Sequence, residues 1–108
     1  MTAPKTVLVV DDAAEIRDLL ADLILRPSGY RVLTADSGMR GLELARSQSP
    51  DIVVSDIKMP DLTGLELTQI LKREKPALPV ILITAEGSED VARQALRAGA
   101  SDYFPKPF

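Results

Sequence analysis

Three aspartates, a threonine and a lysine are the residues of this sequence best suited to chemistry. Each follows or closes a short apolar run, and they are Asp11, Asp12, Asp56, Thr84 and Lys106. The sequence contains no Cys and no His. It therefore offers no thiolate and no imidazole as a base or metal ligand, and any reaction must use carboxylates, hydroxyls and amines.

Three carboxylates that meet in one place would favour a bound cation. Each close pair repels by about 4 kcal/mol at 4 Å and an effective dielectric of 20. An all-oxygen site prefers a hard ion, so we expect Mg²⁺, with Mn²⁺ as the alternative. A carboxylate is also a nucleophile toward phosphorus, and a lysine ammonium and a hydroxyl can stabilise a transferring phosphoryl group.

Five short apolar runs predict the strands that position these residues. They lie at residues 6–10, 31–35, 52–55, 80–84 and 102–104. The runs at Val7 and Val80 are continuous rather than alternating, which is typical of strands covered on both faces in a parallel sheet.

Amphipathic segments between the runs predict helices. The first helix has its apolar positions at Ile16, Leu19, Leu20 and Leu23, and the third has them at Leu67, Ile70 and Leu71. Ser37 is suited to N-cap the second helix. We expect the fourth helix at residues 88–98, with Ser88 as its N-cap, Val91 and Leu96 as its large apolar anchors, and Gly99 as a left-handed C-terminal cap.

Alternating strands and helices predict a doubly wound parallel α/β sheet in one domain spanning the 108 residues. In such folds the ligand crevice lies at the carboxyl ends of the strands. The five chemically suited residues should therefore face one crevice.

Charge and hydropathy exclude other classes of function. The net charge of −3 comes without a basic cluster, so we expect no direct nucleic-acid binding. The longest apolar runs have four residues, whereas a membrane span needs about 20. We therefore expect no membrane insertion, and a cytoplasmic protein.

Several motifs make the sequence similar to a known family. They are VLVVDD at 7–12, DIKMPDLTG at 56–64, LITA at 82–85, GASDY at 99–103 and KP at 106–107. With these motifs the chain resembles the CheY-like receiver domain of two-component response regulators from Val7 to Phe108. The resemblance implies the strand order 2-1-3-4-5 and a phosphoacceptor signalling domain, which is not an enzyme but assists its own phosphorylation and dephosphorylation.

The resemblance also implies roles for individual residues. Asp56 would be phosphorylated by a sensor histidine kinase or phosphotransfer protein, and Thr84 and Lys106 would contact the phosphoryl oxygens. The implied metal ligands are Asp11, Asp12, Asp56 and the backbone carbonyl of Lys58.

Further residues would serve switching or structure. Thr84 and Tyr103 would change the surface of the fourth helix and fifth strand, which a downstream output domain or protein would read. Met59, Pro60 and Gly64 would shape the loop after Asp56, and a cis bond would precede Pro107.

One departure from the family lies at the end of the sequence. Family members continue into a fifth helix, but this chain stops at Phe108. We expect one sheet face to be under-covered, which favours a homodimer or a marginally stable domain.

Other functions are compatible with parts of the pattern. A phosphatase of the haloacid dehalogenase class needs a second acid two residues after its nucleophile, where this chain has Lys58. A flavodoxin-like cofactor binder needs a first loop rich in Gly, Ser or Thr, where this chain has Asp11 and Asp12. A docking or dimerisation module that works without phosphorylation remains an open alternative.

Overall fold

The computed structural model describes residues 4–85 and 89–106 and shows one five-stranded parallel sheet. The strands are β1 (Thr6–Val10), β2 (Arg31–Ala35), β3 (Ile52–Asp56), β4 (Val80–Thr84) and β5 (Asp102–Pro105). Their order in the sheet is β2-β1-β3-β4-β5, and every neighbouring pair is parallel. The predicted fold class is therefore confirmed, and β3 and β5 each extend one residue beyond the predicted run.

Helices connect consecutive strands. They are α1 (Ala14–Asp18), which continues as a π-helical segment (Leu19–Leu25), α2 (Gly38–Gln48), α3 (Gly64–Glu74) and α4 (Glu89–Arg97). Helices α2, α3 and α4 pack on one face of the sheet, and α1 with the π-helical segment packs on the other. In the part of the chain that the structure describes, no helix is long and apolar enough to cross a bilayer.

The main core lies between the sheet and helices α2 to α4. Leu67 and Leu71 on α3 are fully buried against strand residues such as Leu8 and Leu82, and Ile70 is partly buried at the edge of this core. The predicted apolar face of the third helix is therefore confirmed.

The apolar face predicted for the first helix is wrong at Leu23, whose side chain is 72% exposed. From Leu19 onward the chain winds as a π-helix, and the Arg26 N–H donates to the Ala21 carbonyl five residues earlier. This wider winding rotates Leu23 out of the apolar stripe, while Leu20 is buried and Leu25 packs beside it.

The sheet face that the π-helical segment covers is only partly shielded from solvent. Val54 and Ile81 are half-buried and line an apolar groove with Leu20, Ile83 and Phe104, and Phe104 is 46% exposed. Apolar side chains on this face are therefore partly open to solvent in the described part of the chain.

Helix α4 ends as predicted but is anchored differently. Gly99 has a φ of +100°, its N–H donates to the Leu96 carbonyl, and the Ala100 N–H donates to the Ala95 carbonyl, both at 3.0 Å. Leu96, an expected anchor, is 63% exposed. The anchors are Val91 and the fully buried Ala95, because residues four apart share one helix face. The predicted cap Ser88 lies outside the described residues.

Candidate functional site at the carboxyl edge of the sheet

The register of the sheet aligns the ends of strands β1, β3, β4 and β5. Val10 pairs with Ser55, Asp56 with Ile83, and Thr84 with Pro105. The residues at or just beyond these ends therefore meet at one edge, as the alternating pattern predicted. They are Asp11, Asp12, Asp56, Thr84 and Lys106.

The three aspartates form one acidic cluster. A carboxylate oxygen from each of Asp11, Asp12 and Asp56 lies within 4.8 Å of the others. Asp11 and Asp56 are buried, whereas Asp12 is exposed at the mouth of the site. This set of hard oxygen donors, open to solvent on one side, fits a divalent cation such as Mg²⁺ that keeps part of its water shell.

Lys106 supplies the positive charge inside this cluster. Its Nζ lies 2.9 Å from Asp11 Oδ2 and 3.5 Å from Asp56 Oδ1, and its side chain is 14% exposed. The Lys106 N–H donates to the Thr84 carbonyl at 2.6 Å, which fixes the end of β5 beside β4. One ammonium thus contacts two buried carboxylates.

The charge on Asp56 is not fully compensated by this ammonium. Burial, followed by repulsion from Asp11, raises the pKa of the Asp56 carboxyl above its ordinary value, although attraction to Lys106 acts in the opposite direction. A cation bound between the carboxylates would relieve that repulsion.

Asp11 is held in place through its side chain and its backbone. Its Oδ1 accepts the Ala13 N–H at 2.9 Å, and its N–H donates to the Ala35 carbonyl at 3.0 Å. The guanidinium of Arg17 donates to the Asp11 carbonyl at 2.8 Å. Sequence reasoning did not identify Arg17, although a cation on the first helix after an acidic pair was a visible signal.

The loop after Asp56 contains Lys58, Met59 and Pro60 and ends at Gly64. Met59 is buried in the main core, whereas Lys58 and Pro60 are exposed. A Cβ on Gly64 would lie 2.1 Å from the Asp56 carbonyl oxygen, so only glycine fits there. The Gly64 N–H donates to the Ile57 carbonyl at 2.8 Å. The loop therefore folds back closely onto Asp56.

The two residues expected to switch lie near the site but in different surroundings. Thr84 is buried at the end of β4, and Tyr103 is half-buried and packs against the main core. Pro107, and with it the bond from Lys106, lies outside the described residues.

Sequence reasoning also missed two polar contacts of the loop after Asp56. Asp61 accepts hydrogen bonds from the first two residues of α2. Thr63 and Glu66 form a capping box at the start of α3. The capping box was visible as a threonine three residues before a glutamate, whereas the Asp61 contact joins distant parts of the chain.

Residues 7–108 match the family described as the response regulator receiver domain. The chain belongs to this family. The receiver domain is 41% identical over 105 residues to the probable transcriptional regulatory protein TcrX of Mycobacterium tuberculosis, an alignment that covers 97% of this chain and 44% of TcrX. The receiver domain thus spans less than half the length of this curated relative.

Solved structures agree with the receiver fold. Chemotaxis protein CheY4 of Vibrio cholerae superposes with a TM-score of 0.91 at 30% identity, covering 98% of this chain and 89% of that one. CheY in the CheX–CheY–BeF3–Mg²⁺ complex of Borrelia burgdorferi superposes with a TM-score of 0.91 at 28% identity, covering 97% and 80%. The chain is thus a receiver domain of two-component systems.

Proposed function

We propose that Asp56 accepts a phosphoryl group from the phosphohistidine of a sensor histidine kinase or a phosphotransfer protein. The observation that carries this proposal is the position of Asp56, a buried carboxylate at the strand edge with Lys106 Nζ 3.5 Å away. Membership of the receiver family supports the same assignment.

The transfer is a substitution at phosphorus. A carboxylate oxygen of Asp56 forms the new P–O bond while the P–N bond to the imidazole breaks. The electron pair of that bond stays on the imidazole nitrogen, which then takes up a proton. Lys106 and Thr84 would contact the phosphoryl oxygens and stabilise their charge in the transition state.

The acidic cluster would hold Mg²⁺, with Mn²⁺ as the alternative. Asp11, Asp12, Asp56 and the backbone carbonyl of Lys58 are the proposed ligands, and the mutual approach of the three carboxylates supports this. A bound divalent cation supplies charge neutralisation for the phosphoryl oxygens. The Borrelia CheY complex, which contains BeF3 and Mg²⁺, is consistent with such a site.

Phosphorylation would be read out on the surface formed by α4 and β5. The dianionic group would draw Thr84 toward it and let Tyr103 change its position. Helix α4 has only Val91 and small residues such as Ala95 on its buried face, so a shift of this helix disrupts few large contacts. A downstream output domain or protein in the cytoplasm would bind the altered surface.

Labelling with a small acyl phosphate tests the proposed function. The protein, incubated with Mg²⁺ and the donor, should gain the mass of one phosphoryl group in intact-mass spectrometry. Asp56→Asn should gain none, because an amide does not form the acyl phosphate. Equal labelling of Asp56→Asn would show that the acceptor is another residue.

A docking or dimerisation module that works without phosphorylation is the second candidate. The observation that favours it is the partly exposed apolar groove that includes Val54, Ile81 and Phe104. If this second function is right, the wild-type protein associates stably and gains no mass under the labelling conditions.

A further inference from the structure

The loop between β3 and α3, residues 57–63, is hydrogen-bonded to the start of α2 through Asp61. Asp61 Oδ1 accepts the Gly38 N–H at 3.1 Å, and Oδ2 accepts the Met39 N–H at 2.9 Å. These are the first two residues of α2, whose N–H groups have no partner within the helix. A carboxylate that lies 22 and 23 residues further along the chain therefore caps α2.

The loop and the helix are in close contact at this point. A Cβ on Gly38 would lie 2.2 Å from the Leu62 carbonyl oxygen. Helix α2 is itself seated on β1, because a Cβ on Gly41 would lie 2.7 Å from Val10 Cγ2. Val10 directly precedes Asp11. Asp61 thus connects the loop after Asp56 to the helix that packs on β1, the strand that directly precedes Asp11.

The far end of the same loop is fixed to α3 and to β3. Thr63 Oγ1 accepts the Glu66 N–H at 3.2 Å, and Glu66 Oε1 accepts the Thr63 N–H at 3.1 Å. Gly64 packs against the Asp56 carbonyl. Lys58 lies between these fixed points, and Asp61 provides the hydrogen bonds from the loop to α2.

We propose that Asp61 is a positioning residue for the divalent cation site, because it holds the loop that carries the Lys58 carbonyl against α2. This inference rests on the proposed function, which places a cation at that carbonyl. Partners that orient metal ligands commonly change metal affinity by about 10- to 100-fold.

Asp61 keeps its charge over the working range of pH. The Met39 N–H, followed by the N–H groups of Leu62 and Gly38, lowers the pKa of the Asp61 carboxyl below its ordinary value. The helix N-terminus favours the same charged form. The link between loop and helix therefore stays intact at neutral pH.

The test measures Mg²⁺ affinity without any phosphoryl donor, by following backbone amide shifts in an NMR titration with MgCl2. Asp61→Ala should weaken Mg²⁺ binding about tenfold. Asp61→Asn, which keeps one acceptor oxygen, should fall between Asp61→Ala and the wild type.

Ser37→Ala is the matched control for α2. Ser37 Oγ accepts the Arg40 N–H at 3.1 Å, so this variant also removes a cap of α2 but leaves the loop link intact. Both Ser37→Ala and Asp61→Ala should lower Tm by about 5 °C, and Ser37→Ala should bind Mg²⁺ as the wild type does. Asp36→Asn is the control for the loss of a negative charge. Asp36 is exposed and directly follows β2 at the same edge of the sheet.

Unchanged Mg²⁺ affinity in Asp61→Ala would overturn this inference and leave the proposed function intact. Equal weakening by Ser37→Ala or Asp36→Asn would overturn it as well, because general destabilisation or lost charge would then explain the effect. Absence of Mg²⁺ binding by the wild type would overturn the proposed metal site together with the inference.

Discussion

Among the single residues of the site, Asp56 has the least favourable electrostatic surroundings. Its carboxylate is buried beside Asp11, and the Lys106 ammonium contacts both groups. Burial, followed by repulsion from Asp11, outweighs this attraction and raises the pKa of the Asp56 carboxyl. The charged form of the Asp56 carboxyl is therefore disfavoured in the folded protein, and a cation bound beside it would stabilise that form.

Asp56→Asn should stabilise the metal-free protein at pH 7, by on the order of 1 kcal/mol. Because the pKa of Asp56 is higher in the folded than in the unfolded state, the contribution of Asp56 to wild-type stability decreases as the pH rises from 3.8 through the folded pKa. Above that pKa the loss of unfolding free energy caused by ionising Asp56 is complete. The Asp56→Asn variant does not ionise there and so does not lose this stability. Urea unfolding from pH 3 to pH 8 in EDTA measures both effects.

The exposed Asp36 provides the control, because Asp36→Asn should leave the pH profile of stability close to that of the wild type. Added Mg²⁺ should raise the stability of the wild type more than that of Asp56→Asn. A lower stability of Asp56→Asn at pH 7 would contradict the charge argument.

At the scale of elements, helix ends fix the loops that carry the site. Ser37 caps α2 locally, Thr63 and Glu66 cap α3 with a capping box, and Gly99 terminates α4 in the left-handed conformation. The α3 box begins where the loop after Asp56 ends. The stability of that helix start is thus coupled to the shape of the loop.

Thr63→Ala should destabilise the protein by about 1 kcal/mol, because the Glu66 N–H loses its acceptor. Urea unfolding at pH 7 measures the loss. Ser47→Ala, at an exposed position within α2, should be neutral or slightly stabilising because alanine favours helix. A cost for Thr63→Ala no larger than that for Ser47→Ala would show that the box contributes little.

Across the whole molecule, the two faces of the sheet are covered by different numbers of helices. Three helices pack over the main core, whereas α1 and the π-helical segment pack on the other face. The groove around Ile81 and Phe104 stays partly open to solvent. Apolar area of this kind favours association of two copies.

Sedimentation velocity over a concentration series should show reversible self-association of this chain. Phe104→Ser should weaken the association about tenfold, since exposed aromatic residues commonly dominate such contacts. Leu23→Ser is the matched control, because Leu23 is exposed but does not line the groove. A wild-type protein that remains monomeric at high concentration would contradict the dimer prediction.

Local sequence determined the strands, the caps at Ser37 and Gly99, and the candidate site. Short apolar runs predicted the five strands of the described residues, and the runs at Val7 and Val80 are continuous because β1 and β4 are covered on both faces. Ser37 and Gly99 predicted helix ends because their effects act within one turn. Asp11, Asp56 and Lys106 could be assigned to one edge because parallel strands end together.

Packing between distant segments determined which side chains face the core and which remote groups meet. Leu23 is exposed because the chain winds as a π-helix there, and Leu96 is exposed because of the way α4 is rotated against the sheet. Local periodicity specifies neither the π-helical winding nor this rotation. Asp61 reaches α2 because the sheet order brings two separate crossovers side by side. Local pattern thus determined the acidic site, whereas packing between distant segments decided how its loop is held.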